Sequence, residues 1–138
     1  MKNQKINLIA VGSAVIISML IPAIWYYLFA ESWLSGNGLT EQILQDANGP
    51  VPYIVALLAN IVSVYALAWL FLKLKVDSWQ SGVLHALVVG LAFYFVHLAS
   101  QNVFSLRTIV LTLIDGGVVL LAFIASGALL GGWRKYEE

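Results

Sequence analysis

The sequence has no cysteine, so no disulfide, thiolate nucleophile or iron–sulfur cluster can be built from it. Charge is also scarce. Asp, Glu, Lys and Arg supply 10% of the 138 residues, against roughly 25% in an ordinary soluble domain, while 61% of positions are hydrophobic. That leaves too little polar surface to cover a water-facing globule and points to a lipid bilayer as the solvent. Seven basic and seven acidic residues cancel to a formal net charge of zero, with no basic tail. The electrostatic footprint of nucleic-acid binding is therefore missing, and no such partner is expected. A nucleophile motif, a phosphate-binding loop and a usefully spaced pair of carboxylates are missing too, so neither an enzyme nor a bound cofactor is expected.

What is present is four long apolar runs, at 6–30, 51–74, 82–103 and 108–133. A helix crosses the hydrocarbon core with about 20 apolar residues, and none of the runs alternates as a membrane strand would. The expected fold is an all-α integral membrane protein, a single four-transmembrane-helix up-down bundle with a short amphipathic helix in its first, outer connection. In that connection, residues 31–50, Ser35-Gly36-Asn37-Gly38 reads as a turn cluster. Thr40 is placed to cap a helix running to Ala47, and Asn48-Gly49-Pro50 to stop it. Leu39, Ile43 and Leu44 group on one side of this helix, which serves either as a connector on the membrane surface or as a lid. Pro22 inside the first run removes a backbone hydrogen bond and can kink that helix.

Basic residues near membrane ends stay on the cytoplasmic side. Lys2 and Lys5, Lys73 and Lys75, and Arg134 with Lys135 share one side, and only Arg107 falls on the other, so both termini are expected in the cytoplasm. The first run is longer than the usual 7 to roughly 15 residues of a secretory signal core, which favours a retained signal-anchor. Trp25, Tyr26, Tyr27, Trp33 and Tyr53 are expected to mark the outer boundary, and Trp69, Trp79, Trp133 and Tyr136 the inner one.

In lipid, helices associate through small and hydrogen-bonding residues rather than through apolar burial. One such stripe runs along each helix. It comprises Ala10, Ala14, Ser18, Pro22, Trp25 and Phe29 on the first; Tyr53, Ala56, Asn60, Ser63 and Leu67 on the second. On the third it comprises Ala86, Gly90, Tyr94, His97 and Gln101, and on the fourth Thr108, Thr112, Asp115, Val119, Ala122, Ser126 and Trp133. Gly127 and Gly131 form a GxxxG pair that permits close backbone approach, either within the bundle or at an oligomer face. Gly116 and Gly117 either loosen the fourth helix or admit a bulky neighbour.

Asp115 is the sole acid in a membrane segment, where a carboxylate costs about 2.5 to 3.5 kcal/mol on insertion scales. At 1.5 Å per residue, Asn60, His97 and Asp115 all lie about 9 to 14 Å in from the outer end and can meet. Two readings follow. In one, Asp115 and His97, with Asn60, Tyr94 and Gln101, form a protonatable ligand site of a proton-linked carrier or binding protein. In the other, Asp115 bonds to Asn60, a tyrosine hydroxyl or a backbone carbonyl and fixes helix register, as in a structural or accessory subunit. His85 lies about 18 Å from His97 along one helix, so the two cannot chelate one ion and no metal is expected. The expected partners are membrane lipid and either a homo-oligomer or a larger membrane complex.

Several local patterns occur in order along nearly the whole chain. They are Trp25-Tyr26 with Phe29 and Trp33; Gly38-Leu39-Thr40-Glu41; Asn102, Phe104 and Arg107 before Leu113-Ile114-Asp115-Gly116; and Gly127-Ala128-Leu129-Leu130-Gly131 with Trp133. In these the chain resembles the domain of unknown function 1761 family, small four-helix membrane proteins found mainly in bacteria. It departs at Tyr27-Leu28 and Ala30, where the family commonly has a proline after the Trp-Tyr pair and a glycine after the Phe. The resemblance implies four helices and a bacterial cytoplasmic membrane, and supplies no activity.

Overall fold

A computed structural model describes residues 3–47 and 49–136. Lys2 of the basic amino-terminal group and Asn48 of the proposed helix stop lie outside the described residues. The chain is helical almost throughout. Helix α1 runs Leu8–Leu28, α2 Ala30–Asn37, α3 Glu41–Ala47 and α4 Val51–Lys73. A third long rod is made of α5, Trp79–Gly90, a π-helical turn, Leu91–Phe95, and α6, Val96–Phe104; α7, Ile109–Gly132, completes the chain. Two short strands, β1 at Gln4–Lys5 and β2 at Lys135–Tyr136, pair antiparallel and bring the two ends of the chain together.

Four of these rods are long and apolar enough to cross a membrane: Leu8–Leu28, Val51–Lys73, Trp79–Phe104 and Ile109–Gly132. Only 17% to 33% of each span's most apolar window is buried inside the bundle. Every rod therefore presents apolar side chains such as Ile24, Val62, Phe93 and Ile109 outward, an arrangement suited to an apolar solvent and contact with lipid.

Local chemistry explains where the helices start and stop. The Asn7 side chain accepts from the amides of Ile9 and Ala10, Ser78 from Ser81 and Thr108 from Leu111, each satisfying an amide the helix cannot. At the other ends, α2, α4 and α6 close in the same way, with paired bonds from the two following amides. These are Gly38 to Ser35 and Leu39 to Leu34, Lys75 to Leu72 and Val76 to Phe71, and Leu106 to Val103 and Arg107 to Asn102. Such a cap needs a left-handed residue. Gly38 supplies it at φ 66°, but Lys75 and Leu106 adopt φ 55° and 56° in spite of their side chains.

The first connection differs from its sequence reading at one point. Ser35, Gly36 and Asn37 form the last turn of α2 rather than a turn cluster, and only Gly38 breaks the helix. Gly36 is there because Leu111 of α7 packs within 2.8 Å of where a Cβ would stand. The chain also bends at Phe29, φ −107° and ψ 16°, without the proline and glycine common in the family. Helix α3 forms as expected, with Thr40 accepting from the Ile43 amide, and none of its residues is buried. Helix α1 continues through Pro22.

Within the bundle α7 is central, packing against α1 on one side and the third rod on the other, while α4 packs chiefly on α1. Three glycines set the closest approach. A Cβ on Gly127 would stand 2.5 Å from both the Ala86 Cβ and the Gly82 carbonyl oxygen, and one on Gly131 would collide with the Ser78 carbonyl oxygen and stand 2.9 Å from the Gly82 Cα. The GxxxG pair is thus engaged inside the bundle. Gly90 in turn leaves room for Leu120 and Phe123. The tightest core, around Ala10, Ala14, Leu67, Phe71, Ala86 and Leu130, lies toward the chain-terminal end of the bundle, and a buried hydrogen bond of 2.8 Å joins Ser18 to Ser126.

Candidate functional site

Asp115 lies two turns into α7, partly buried, at the end of the bundle opposite the chain termini. Its Oδ1 accepts two hydrogen bonds of 2.9 Å, one from the Tyr26 hydroxyl of α1 and one from the Trp33 indole of α2. Trp25, one residue before Tyr26, donates its indole N–H to the Ile114 carbonyl at 3.0 Å and packs on Gly117, while Phe95 packs on Gly116. The glycine pair beside Asp115 therefore admits two aromatic rings. One carboxyl oxygen and one carbonyl of α7 hold three aromatic donors from α1 and α2, where an unpaired polar group would be costly.

The network continues toward the helix ends. The Trp33 carbonyl accepts from the Asn37 amide at 2.7 Å, and the Asn37 oxygen accepts from Arg107. Arg107 also reaches the oxygen of Asn102, whose amide donates to Thr112 at 2.9 Å. Asn102 is 1% exposed, so its side chain is fully committed to α7 and the α6–α7 turn. Three aromatic groups read from sequence as boundary markers, Trp25, Tyr26 and Trp33, thus face inward as donors. Tyr27 and Tyr53 are exposed as expected of interfacial groups.

The sequence places Asn60, His97 and Asp115 together; the structure does not. His97 and Gln101 are exposed on the outer side of α6, and neither forms a side-chain hydrogen bond among the described residues. The cause is the π-helical turn at Leu91–Phe95, which inserts one extra residue and rotates everything after it by about 100° relative to an unbroken α-helix. The inward stripe of Gly82, Ala86 and Gly90 accordingly resumes at Phe95, Leu98 and Asn102, one position later than a regular helix gives. Asn60 remains on an inward face, but its amide donates to the Ala56 carbonyl at 2.9 Å and to the Met19 sulfur at 3.3 Å. Tyr94 forms no hydrogen bond to Asp115, whose partners are Tyr26 and Trp33.

A second feature stands beside this network. A cleft of about 410 Å³ is lined by all four spans. Ser18 and Pro22 come from α1, Asn60, Ser63 and Leu67 from α4, Phe93 and Tyr94 from the third rod, and Val119, Ala122 and Ser126 from α7. Most of these are the stripe residues read from sequence. The cleft exists because α4 and the third rod meet where the Phe71 ring touches His85 edge-on but do not pack against each other along their length.

The opposite end is held by Arg134. Its guanidinium donates to the Phe71 carbonyl at 3.1 Å, to the Gln4 side chain at 2.9 Å and to the Leu130 carbonyl at 3.4 Å, joining α4, β1 and α7. Burial lowers its pKa from the ordinary value, partly countered by Tyr136 and Asp77, and the carbonyl bonds offset that desolvation. The Asn7 amide adds a bond to the Trp133 carbonyl.

The sequence model of the family described as Protein of unknown function (DUF1761) matches residues 9–131. The chain belongs to the DUF1761 family. No curated protein and no solved structure matches it. In this DUF1761 chain six of the residues that carry the resemblance, Trp25, Tyr26, Trp33, Asn102, Arg107 and Asp115, take part in the polar network.

Proposed function

We propose that the chain is a non-enzymatic accessory protein of the bacterial cytoplasmic membrane, with both termini on the cytoplasmic side. It works as a homo-oligomer or as a subunit of a larger membrane complex. One observation carries the reading: Asp115 is bracketed by a phenol and an indole from two other helices, and no histidine reaches it. A carboxyl group in that setting accepts both bonds whether ionised or protonated, and its work is to keep α1, α2 and α7 in register. Orientation is supported by Lys5, Lys73, Lys75, Arg134 and Lys135 gathering at the end where the chain termini meet, against Arg107 at the other. Association is supported by the third span, which buries the least of the four and leaves a long face for another helix.

Reconstituted vesicles under an imposed pH gradient test this. The protein and its Asp115→Asn variant are expected to admit protons at the same background rate. A flux carried by the original protein and abolished by the variant would replace the accessory role with proton-linked transport. Cross-linking in intact membranes is expected to give species larger than one chain, and recovery of single chains alone would remove the association.

A further inference from the structure

We infer that the cleft between α4 and the third rod is a binding site for a neutral amphiphile drawn from the bilayer, with one hydroxyl or phenol head and an apolar body. The inference goes beyond the accessory role and does not rest on it, since a structural subunit can hold a lipid-derived ligand.

Size and access come first. A volume of about 410 Å³ lies within the roughly 300 to 1,000 Å³ of small-molecule sites. Because α4 and the third rod do not pack along their length, the cleft opens sideways, where entry is from lipid rather than from water. No charged side chain lines it, Asp115 included, which excludes a charged ligand on desolvation grounds.

The polar groups decide the head. Among the described residues the Tyr94 hydroxyl has no hydrogen-bond partner, although it lines the cleft. The Asn60 amide nitrogen already bonds to Ala56 and Met19, so its oxygen is left as an open acceptor. Ser18 and Ser126 bond to each other, so with the exposed Ser63 hydroxyl the phenol and the amide oxygen are the cleft's free polar groups; they suit a head that both gives and takes a hydrogen bond, with Leu67 and Phe93 beside its body. In lipid these groups have no water shell to fall back on, so a ligand that pairs with them gains over a plain hydrocarbon tail.

The test uses the full chain in phosphatidylcholine vesicles, irradiated with a diazirine-bearing hexadecanol or, separately, with the corresponding hexadecane, and peptide mapping of the labelled sites. Residues 59–67 and 89–94 are expected to take up the alcohol about 2- to 10-fold more than the alkane, the preference one hydrogen bond gives. Tyr94→Phe keeps the ring and is expected to shrink that preference. Ser63→Phe fills the cleft from an exposed position that tolerates bulk, and is expected to lower labelling by both probes there. Equal labelling by alcohol and alkane would mean that ordinary lipid tails occupy the cleft, and overturns the inference. So does an alcohol preference that survives both variants.

Discussion

If Asp115 is the latch that holds three helices, its removal should cost what its two bonds are worth, and its amide isostere should cost much less. Asp115→Ala removes the acceptor of both the Tyr26 hydroxyl and the Trp33 indole, each at 2.9 Å. Side-chain hydrogen bonds between membrane helices average about 0.6 kcal/mol and reach about 1.7, so the loss should be about 1 to 3 kcal/mol. Asp115→Asn keeps an oxygen where Oδ1 stands and should lose under about 1 kcal/mol. Unfolding in mixed micelles at rising detergent fraction, followed by circular dichroism, measures both. A cycle with Trp33→Phe adds the decisive comparison. The Ala and Phe substitutions remove the same bond, so their combined cost should fall short of the sum by about 0.6 to 1.7 kcal/mol. Equal costs for Ala and Asn, no cost for Ala, or strict additivity in the cycle would each refute the latch.

Three further outcomes follow from packing and register. Asn102→Leu should destabilise by about 1 to 3 kcal/mol in the same unfolding assay, because Thr112 and Arg107 each lose one of two partners within a buried site, whereas Gln101→Leu should be within about 0.5 of neutral. Gly127→Leu should cost about 1 to 3 kcal/mol or more by driving α7 from Gly82 and Ala86, while Gly12→Leu, with nothing within 4 Å of its Cβ, should be neutral or stabilising. Leu106→Gly should raise stability by up to about 1 kcal/mol, since a side chain that is 92% exposed is exchanged for relief of a left-handed backbone, and a lower melting temperature would contradict it.

The four spans, the small-residue stripe of the third helix as far as Gly90, and the starts of the third and fourth spans are legible in the sequence because each rests on a local property: run length, period or a capping residue. The cleft was legible for the same reason, since Ser18, Asn60, Ser63, Val119 and Ala122 follow the helical repeat. Of the carboxyl partners, a tyrosine hydroxyl was foreseen, but neither that it belongs to Tyr26 nor that the Trp33 indole joins it. Leu91–Phe95 contains no proline or glycine to announce a five-residue turn, so His97 and Gln101 are placed on the wrong face by ordinary periodicity. Trp25, Tyr26 and Trp33 carry the composition of headgroup anchors, and composition alone cannot say which way a ring points. The available signal was chemical: an aspartate in lipid requires donors, and indole and phenol groups are the donors nearest its depth. Helix α2 was hidden for a different reason. Ser, Gly and Asn at positions 35–37 favour turns, but Leu111 rewards the helical turn with a contact only the folded bundle provides.

Pairing of Gln4 with Tyr136 and Lys5 with Lys135 has a practical sequel. Anything appended before the first strand or after the second starts from neighbouring points, so a donor dye on one side and an acceptor on the other are expected to transfer energy efficiently while the two strands are paired. Loss of that transfer would report separation of the strand pair without any label inside the bundle.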